Sequence, residues 1–242
     1  MLESSFDEYT SNYDLNNINL KSKYNHSYRV MELCMKYATI LGLNESDIEL
    51  AKIIGLLHDY GRFEQYKRYN SFVDLETIDH ADLSVELLFD NNEIVKFTNR
   101  KEDYDLIRFA IKNHNKLSIE ETNDERYNMF AKLIRDADKV DIMYVLSHEI
   151  KKQTTPDEYN KEILDYLNNH QSVPRQLVRN NNDRILVVFG FVFDLNYDIV
   201  LEDYKKSFIK FYNKIEHKYL FDDIYNNIIN YINERIDNNV RN

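Results

Sequence analysis

Apolar residues recur at helical spacing along most of the chain. Val30, Leu33, Cys34, Tyr37, Ala38 and Leu41 fall on one stripe within residues 25–41, the pattern of a helix with one buried face. Gly42 follows, where helices commonly close in a left-handed conformation. Ser46 and Glu49 have the spacing of a capping box for a second helix. Its apolar run Ile53, Ile54, Leu56, Leu57 leads straight into His58-Asp59. The pattern predicts a third helix over 77–89 that contains His80. A fourth, over 103–114, carries Leu106, Ile107, Ala110 and Ile111 and ends near His114. Asn123 or Asp124 can cap a long helix reaching residue 150, with Phe130, Leu133, Ile134, Ala137, Val140, Tyr144 and Val145 on its apolar side.

Further along, Thr155-Pro156-Asp157-Glu158 reads as a helix start: Thr at the N-cap, Pro at the first helical position and Glu two residues later. Ile185 to Phe189 is β-like by propensity. It has no partner strands and is followed by helical patterning over 203–215 and 221–236, so it is read as a buried helix. The polar stretch 168–183 is read as a loop rather than a domain boundary. The expectation is one all-α domain over 1–242, a bundle of eight to ten helices.

Composition supports this and removes several functions. The 242 residues include 4 Gly and 2 Pro, against average usage of roughly 7% and 5%. A sandwich or barrel needs more turn residues than that. Gly42, Gly55, Gly61 and Gly190 fit neither phosphate-cradling glycine motif. Lys plus Arg is 31 and Asp plus Glu 42, a net charge of −11, which disfavours nucleic acid as a partner. The single cysteine, Cys34, rules out a disulfide framework and a multi-cysteine zinc site and fits a reducing compartment. No signal peptide is visible and nowhere do 18 apolar residues run together. A cytoplasmic protein without a membrane partner is expected.

Two places carry chemistry of their own. His58-Asp59 ends an apolar run, and a carboxylate there is costly to bury unless its charge is matched. A divalent cation would match it, and imidazole with carboxylate is a common ligand set. Asp138 interrupts an apolar stripe formed with Ile134, Ile142 and Val145. Taken alone, it could equally be a core aspartate paired with Arg or Lys.

His26, then His58-Asp59, then Asp138 resembles the H…HD…D signature of the HD-domain metal-dependent phosphohydrolases. The surrounding residues agree: His26-Ser27-Tyr28-Arg29-Val30, Leu57-His58-Asp59-Tyr60-Gly61-Arg62-Phe63, and Ala137-Asp138-Lys139. The resemblance covers residues 20–150, with the helices of 155–238 as an extension. It implies His26, His58, Asp59 and Asp138 as metal ligands. It also implies His80 and His114 as ligands of a second ion bridged by Asp59, because binuclear members carry two extra ligands in that interval. In a mononuclear alternative, His80 and His114 would bind substrate phosphate instead. By the same resemblance Arg62 would clamp phosphate and Lys139 would contact substrate, though Lys139 could also be a structural partner of Asp136 or Asp59. Glu64 is a weaker candidate for proton transfer, and Lys112 and Asn115 could line the pocket. His148, His170 and His217 lie outside every motif.

The implied activity is hydrolysis of a small phosphate ester, a nucleotide or related phosphomonoester or phosphodiester, by water activated on divalent metal (Mn, Fe, Ni, Co, Mg or Zn). The alternative is a catalytically silent metal- or ligand-binding regulator. Whether the chain forms a homo-oligomer is left open.

Overall fold

In the computed structural model, residues 2–148, 153–156 and 158–240 are described. Among them the regular structure is helical throughout, so the all-α expectation holds. The chain divides into two compact units, Met1–Ala137 and Asp138–Asn242. Among the described residues no helix is long and apolar enough to cross a membrane.

The first unit opens with a helix that the sequence pattern did not announce, α1 (Leu2–Thr10). Its Phe6 is fully buried and meets Tyr28 and Phe63 edge-on at centroid distances of 5.8 and 5.9 Å. Tyr9 stacks on Tyr60 at 3.8 Å and donates its hydroxyl to the Tyr60 carbonyl at 3.0 Å. Such ring pairs add to the apolar burial that holds a helix this short in place.

Helix α2 (Ile18–Ile40) is longer than its apolar stripe. Asn17 caps it by accepting from the Asn19 and Leu20 N–H groups, and Gly42 follows in the left-handed region at φ 73°. Helix α3 (Glu45–Leu57) is capped by Asn44, which accepts from Asp47 N–H. The predicted Ser46–Glu49 box is therefore displaced by two residues, because Asn44 reaches the first free amides. Leu50, Ala51, Ile53, Ile54, Leu56 and Leu57 are all buried, as in a helix packed on every side. At Gly55 the approach to α2 is so close that a Cβ would lie 2.8 Å from Met31 Cα and 3.0 Å from Cys34 Sγ.

His58, Asp59 and Tyr60 form a turn that leads into α4 (Gly61–Tyr69). Helix α5 (His80–Val85) starts on Asp79, whose carboxylate accepts from the Ala81 and Asp82 N–H groups, and runs on into a π-helical turn at Glu86–Asp90. Helix α6 (Tyr104–Asn113) ends at His114. Asp124 caps α7 (Glu125–His148) by accepting from Arg126 and Tyr127 N–H. The expected helix end near 150 lies outside the described residues.

The second unit contains the remainder of α7, then α8 (Glu162–Asn168), α9 (Asn181–Phe189), α10 (Leu201–Tyr212) and α11 (Asp222–Val240). The β-like run 185–189 is helical, as read. Its start is fixed by a reciprocal capping box between Asn180 and Asp183, and Phe189 packs edge-on against Phe208 at 5.1 Å. The predicted restart at Thr155 is not used: Thr155, Pro156 and Glu158 are not helical, and Asp157 lies outside the described residues. Instead Thr155 exchanges hydrogen bonds with the Asn182 side chain at 3.2 and 3.1 Å. The helix begins at Glu162, whose N–H donates to Asn160 Oδ1 at 3.2 Å. Tertiary pairing outweighs the local signal.

Because Gly55 faces backbone atoms at 2.8 Å, Gly55→Ala is expected to destabilise the protein by about 1–3 kcal/mol through overpacking, read as a lower urea midpoint. Gly42→Ala meets open space at φ 73° and should cost only the left-handed strain, about 1 kcal/mol.

Candidate metal centre

The site of the first unit is built where α2, the α3–α4 turn, the start of α5 and the end of α6 deliver one side chain each or two. His26 comes from α2, His58 and Asp59 from the turn, His80 from the first residue of α5 and His114 from the residue after α6. All are buried: exposures are 4% for His26, 0% for His58, 2% for Asp59, 4% for His80 and 2% for His114.

Four imidazole Nε2 atoms converge on the two oxygens of one carboxylate. Oδ2 of Asp59 lies 3.5 Å from His26 Nε2 and 3.7 Å from His58 Nε2, and those nitrogens are 3.2 Å apart. Oδ1 lies 3.3 Å from His80 Nε2 and 3.7 Å from His114 Nε2, with 3.0 Å between the nitrogens. The structure thus assembles two fully buried clusters that could hold a cation, His26–His58–Asp59 and Asp59–His80–His114, sharing Asp59, and a third, partly exposed one of Asp74, Asp79 and His80.

The far side of the rings decides what the near side can do. His58 Nδ1 lies 2.8 Å from the Gly55 carbonyl and His114 Nδ1 2.6 Å from the Ile111 carbonyl. Carbonyls only accept, so each Nδ1 carries a proton, and in the neutral ring it is Nε2 that presents the lone pair. His80 Nδ1 lies 2.6 Å from Asp74 Oδ2. Burial would raise the Asp74 carboxyl, but its hydrogen bond to His80 and the Arg62 charge hold it well below the usual carboxylate range. Asp74 therefore also accepts. Burial and the charge of Arg62 push His80 down to about 4, against the pull of Asp74, which leaves the ring neutral at pH 7.

Two lone pairs, on His80 and His114, then face one another across 3.0 Å beside Asp59 Oδ1, a buried oxygen with no hydrogen-bond donor. This is repulsive between the groups themselves and favourable around a positive charge. A divalent cation fits that donor set, and imidazoles oriented by a carbonyl or carboxylate on Nδ1 are the usual form of metal-binding histidine. Burial acts to raise the Asp59 carboxyl, yet the charges of Lys23 and Arg62 hold it well below its ordinary value, so it is ionised and ready to ligate.

Three residues of this surround were not legible from the motifs. Asp74 accepts from Arg62 Nη1 at 2.8 Å, Gln65 Nε2 at 2.9 Å and His80 Nδ1 at 2.6 Å. Lys23 Nζ reaches Asp59 Oδ2 at 2.8 Å. Arg135, buried on α7, donates Nη1 to the Asn113 and Lys116 carbonyls at 2.8 and 2.7 Å, which pins the chain on either side of His114. A Lys three residues before His26, on the same helix face, was the one available signal.

The remaining expected residues fall as follows. Arg62 stands beside Asp59, Nε 3.5 Å from Oδ1, and spends Nη1 on Gln65, the Phe72 carbonyl and Asp74. Asn115 donates to Asp79 Oδ1 at 3.0 Å, and Lys112 pairs with Glu120 at 2.7 Å. Glu64 accepts from Arg68 at 2.8 Å and Tyr13 at 3.1 Å. Burial opposes its ionisation, but these partners keep its carboxyl below the usual range, a poor state for giving up a proton. Asp138 and Lys139 belong to the second unit. There Asp138 is buried at 9% exposure on α7, and Lys139 forms an ion pair with Asp194.

Gly61 has its own explanation. In the structure it opens α4, and a Cβ there would lie 2.7 Å from Ser84 N and 2.8 Å from the His80 carbonyl. Close packing of α4 on α5, rather than a special turn, requires the glycine, and that packing carries His80 to Asp59.

Residues 24–143 match the family model described as HD domain. No curated protein and no solved structure matches the chain.

Removing the carboxylate behind His80 frees that ring to rotate. Asp74→Asn is therefore expected to weaken Mn²⁺ binding by about 10–100-fold, the usual effect of losing such a partner, read by calorimetric titration. Affinity equal to the parent would show that Asp74 does not orient His80.

Proposed function

With residues 24–143 forming an HD domain as the premise, we propose that this chain is a metal-dependent phosphohydrolase acting on a small phosphate ester such as a nucleotide. The observation that carries the reading is the convergence of four histidine Nε2 atoms on both oxygens of buried Asp59. A carboxylate used at both oxygens is what two neighbouring cations require, so two ions are proposed: one on His26, His58 and Asp59, the other on Asp59, His80 and His114. Asp138 is proposed as a further ligand on the strength of the motif resemblance alone.

Bound there, divalent metal would supply a hydroxide near neutral pH and neutralise charge on the phosphoryl group. The protein's own share is positional. Gly55 and Ile111 carbonyls and the Asp74 carboxylate fix three ring orientations before substrate arrives, so little reorganisation is needed at the reacting centre. Burial of the five ligating side chains keeps the surroundings poor in water, which strengthens each charge interaction there. Arg62 adds a fixed positive charge beside Asp59 and is proposed to stabilise the transferring phosphoryl group. Lys139 is retained as a proposed substrate contact; its ion pair with Asp194 would have to open for that role.

The test is metal content by mass spectrometry, followed by hydrolysis of p-nitrophenyl phosphate and bis(p-nitrophenyl) phosphate with Mn²⁺, Fe²⁺, Ni²⁺, Co²⁺, Mg²⁺ or Zn²⁺. The parent protein should bind metal and release nitrophenol from at least one of them. Asp59→Ala should lose nearly all turnover, on the order of 10³-fold or more, as expected when the charge stabilisation of a metal site is removed. A metal-loaded parent as inert as Asp59→Ala would leave a metal-binding regulator as the better reading.

A further inference from the structure

Lys23 stands outside the motif and outside the ligand set, yet it touches the central carboxylate. It lies one helical turn before His26 on α2, so both side chains leave the same face. Its ammonium is 2.8 Å from Asp59 Oδ2, and its side chain is 22% exposed where that of Asp59 is 3%. The Phe72 ring sits beneath it, with Nζ 5.8 Å from the centroid, and the Arg62 guanidinium lies 5.7 Å from the same ring. Lys23 therefore marks the edge where the buried carboxylate meets solvent.

Arg62, Lys139 and Lys23 differ in how firmly they are held. Arg62 is 11% exposed, with Nη1 given to three acceptors. Lys139 is 12% exposed and paired with Asp194. Lys23 directs one of its three N–H donors to Asp59 on a flexible four-carbon stem, and it is the most exposed of the three.

Charge counting narrows the ligand. In the first unit Asp59 and Asp74 contribute two negative charges at the centre, and Lys23 and Arg62 two positive ones. These side chains cancel, so each divalent cation taken up adds charge that they do not offset. A doubly charged terminal phosphate answers more of it than a singly charged diester.

We propose that Lys23 receives a non-bridging oxygen of the substrate phosphate, and that the site is matched to dianionic phosphomonoesters rather than to diesters. This rests on the phosphohydrolase reading. A metal ion held by Asp59 would leave the Lys23 ammonium less strongly drawn to that carboxylate and within reach of a substrate phosphate.

The experiment uses Mn²⁺-loaded full-length protein, with inorganic phosphate and dimethyl phosphate as calorimetric probes and p-nitrophenyl phosphate as substrate. Lys23→Met should keep the parent's Mn²⁺ content, because removing a positive charge beside a cation site does not weaken it. Its phosphate affinity should fall by about 10–100-fold, the worth of one charge-assisted hydrogen bond, and KM should rise more than kcat falls. Lys23→Arg should recover most of the phosphate affinity, and dimethyl phosphate should bind the parent more weakly than phosphate does. Unchanged phosphate affinity in Lys23→Met overturns the assignment. Loss of Mn²⁺ in that variant also overturns it, since it would show that Lys23 merely orders Asp59. Equal binding of the two probes by the parent overturns the preference for dianions. A Mn²⁺-loaded parent that neither binds phosphate nor hydrolyses any ester overturns the phosphohydrolase reading itself.

Discussion

Burying an ionised carboxylate costs several kcal/mol unless its charge is met on all sides, and Asp59 is buried at the junction of α3 and α4. What surrounds it follows from that constraint. Lys23 and Arg62 supply positive charge. The four imidazoles supply nitrogen donors that as neutral rings cannot neutralise a carboxylate, and in His58, His80 and His114 Nδ1 is engaged elsewhere. The arrangement is therefore held in part through its own cations, and a divalent cation would complete it. Affinity for metal would be the other face of that folding cost.

Bringing five side chains from four parts of the chain to one point also requires backbones to approach more closely than ordinary residues permit. Gly55 permits this between α2 and α3, which places His26 against His58. Gly61 permits it between α4 and α5, which places His80 against Asp59. Two of the four glycines are thus spent on helix contacts that converge on the same carboxylate. Arg135 performs a comparable task for His114 by hydrogen bonding, because the chain after α6 has no helix ladder to hold it.

His58 and Asp59 stood out in the sequence because they end an apolar run, whereas His26, His80 and His114 were singled out only by their order in a resembling motif. The helical class was legible because periodicity over 11 or more residues is a long-range average that few local features disturb. Short elements were not. Helix α1 has nine residues and depends on Phe6 and Tyr9 finding rings in distant segments, and α4 begins on a glycine. Thr155 shows the converse error, since a well-formed start signal was taken up by Asn182 instead. Asp74 illustrates a third limit: an acidic residue in a polar segment carries no mark of what it will accept from, and its importance exists only once the chain has folded His80 onto it.

That carboxylate also has an evolutionary consequence. Asp74 receives Arg62, Gln65 and His80 at once, and groups sharing one acceptor respond to substitution non-additively. Losing Arg62 would loosen Asp74, and through it the ring of His80, so the deficit would spread to metal binding with no phosphate contact involved. The four positions form a single epistatic block, along which sequences are expected to drift together while the neighbouring surface varies freely.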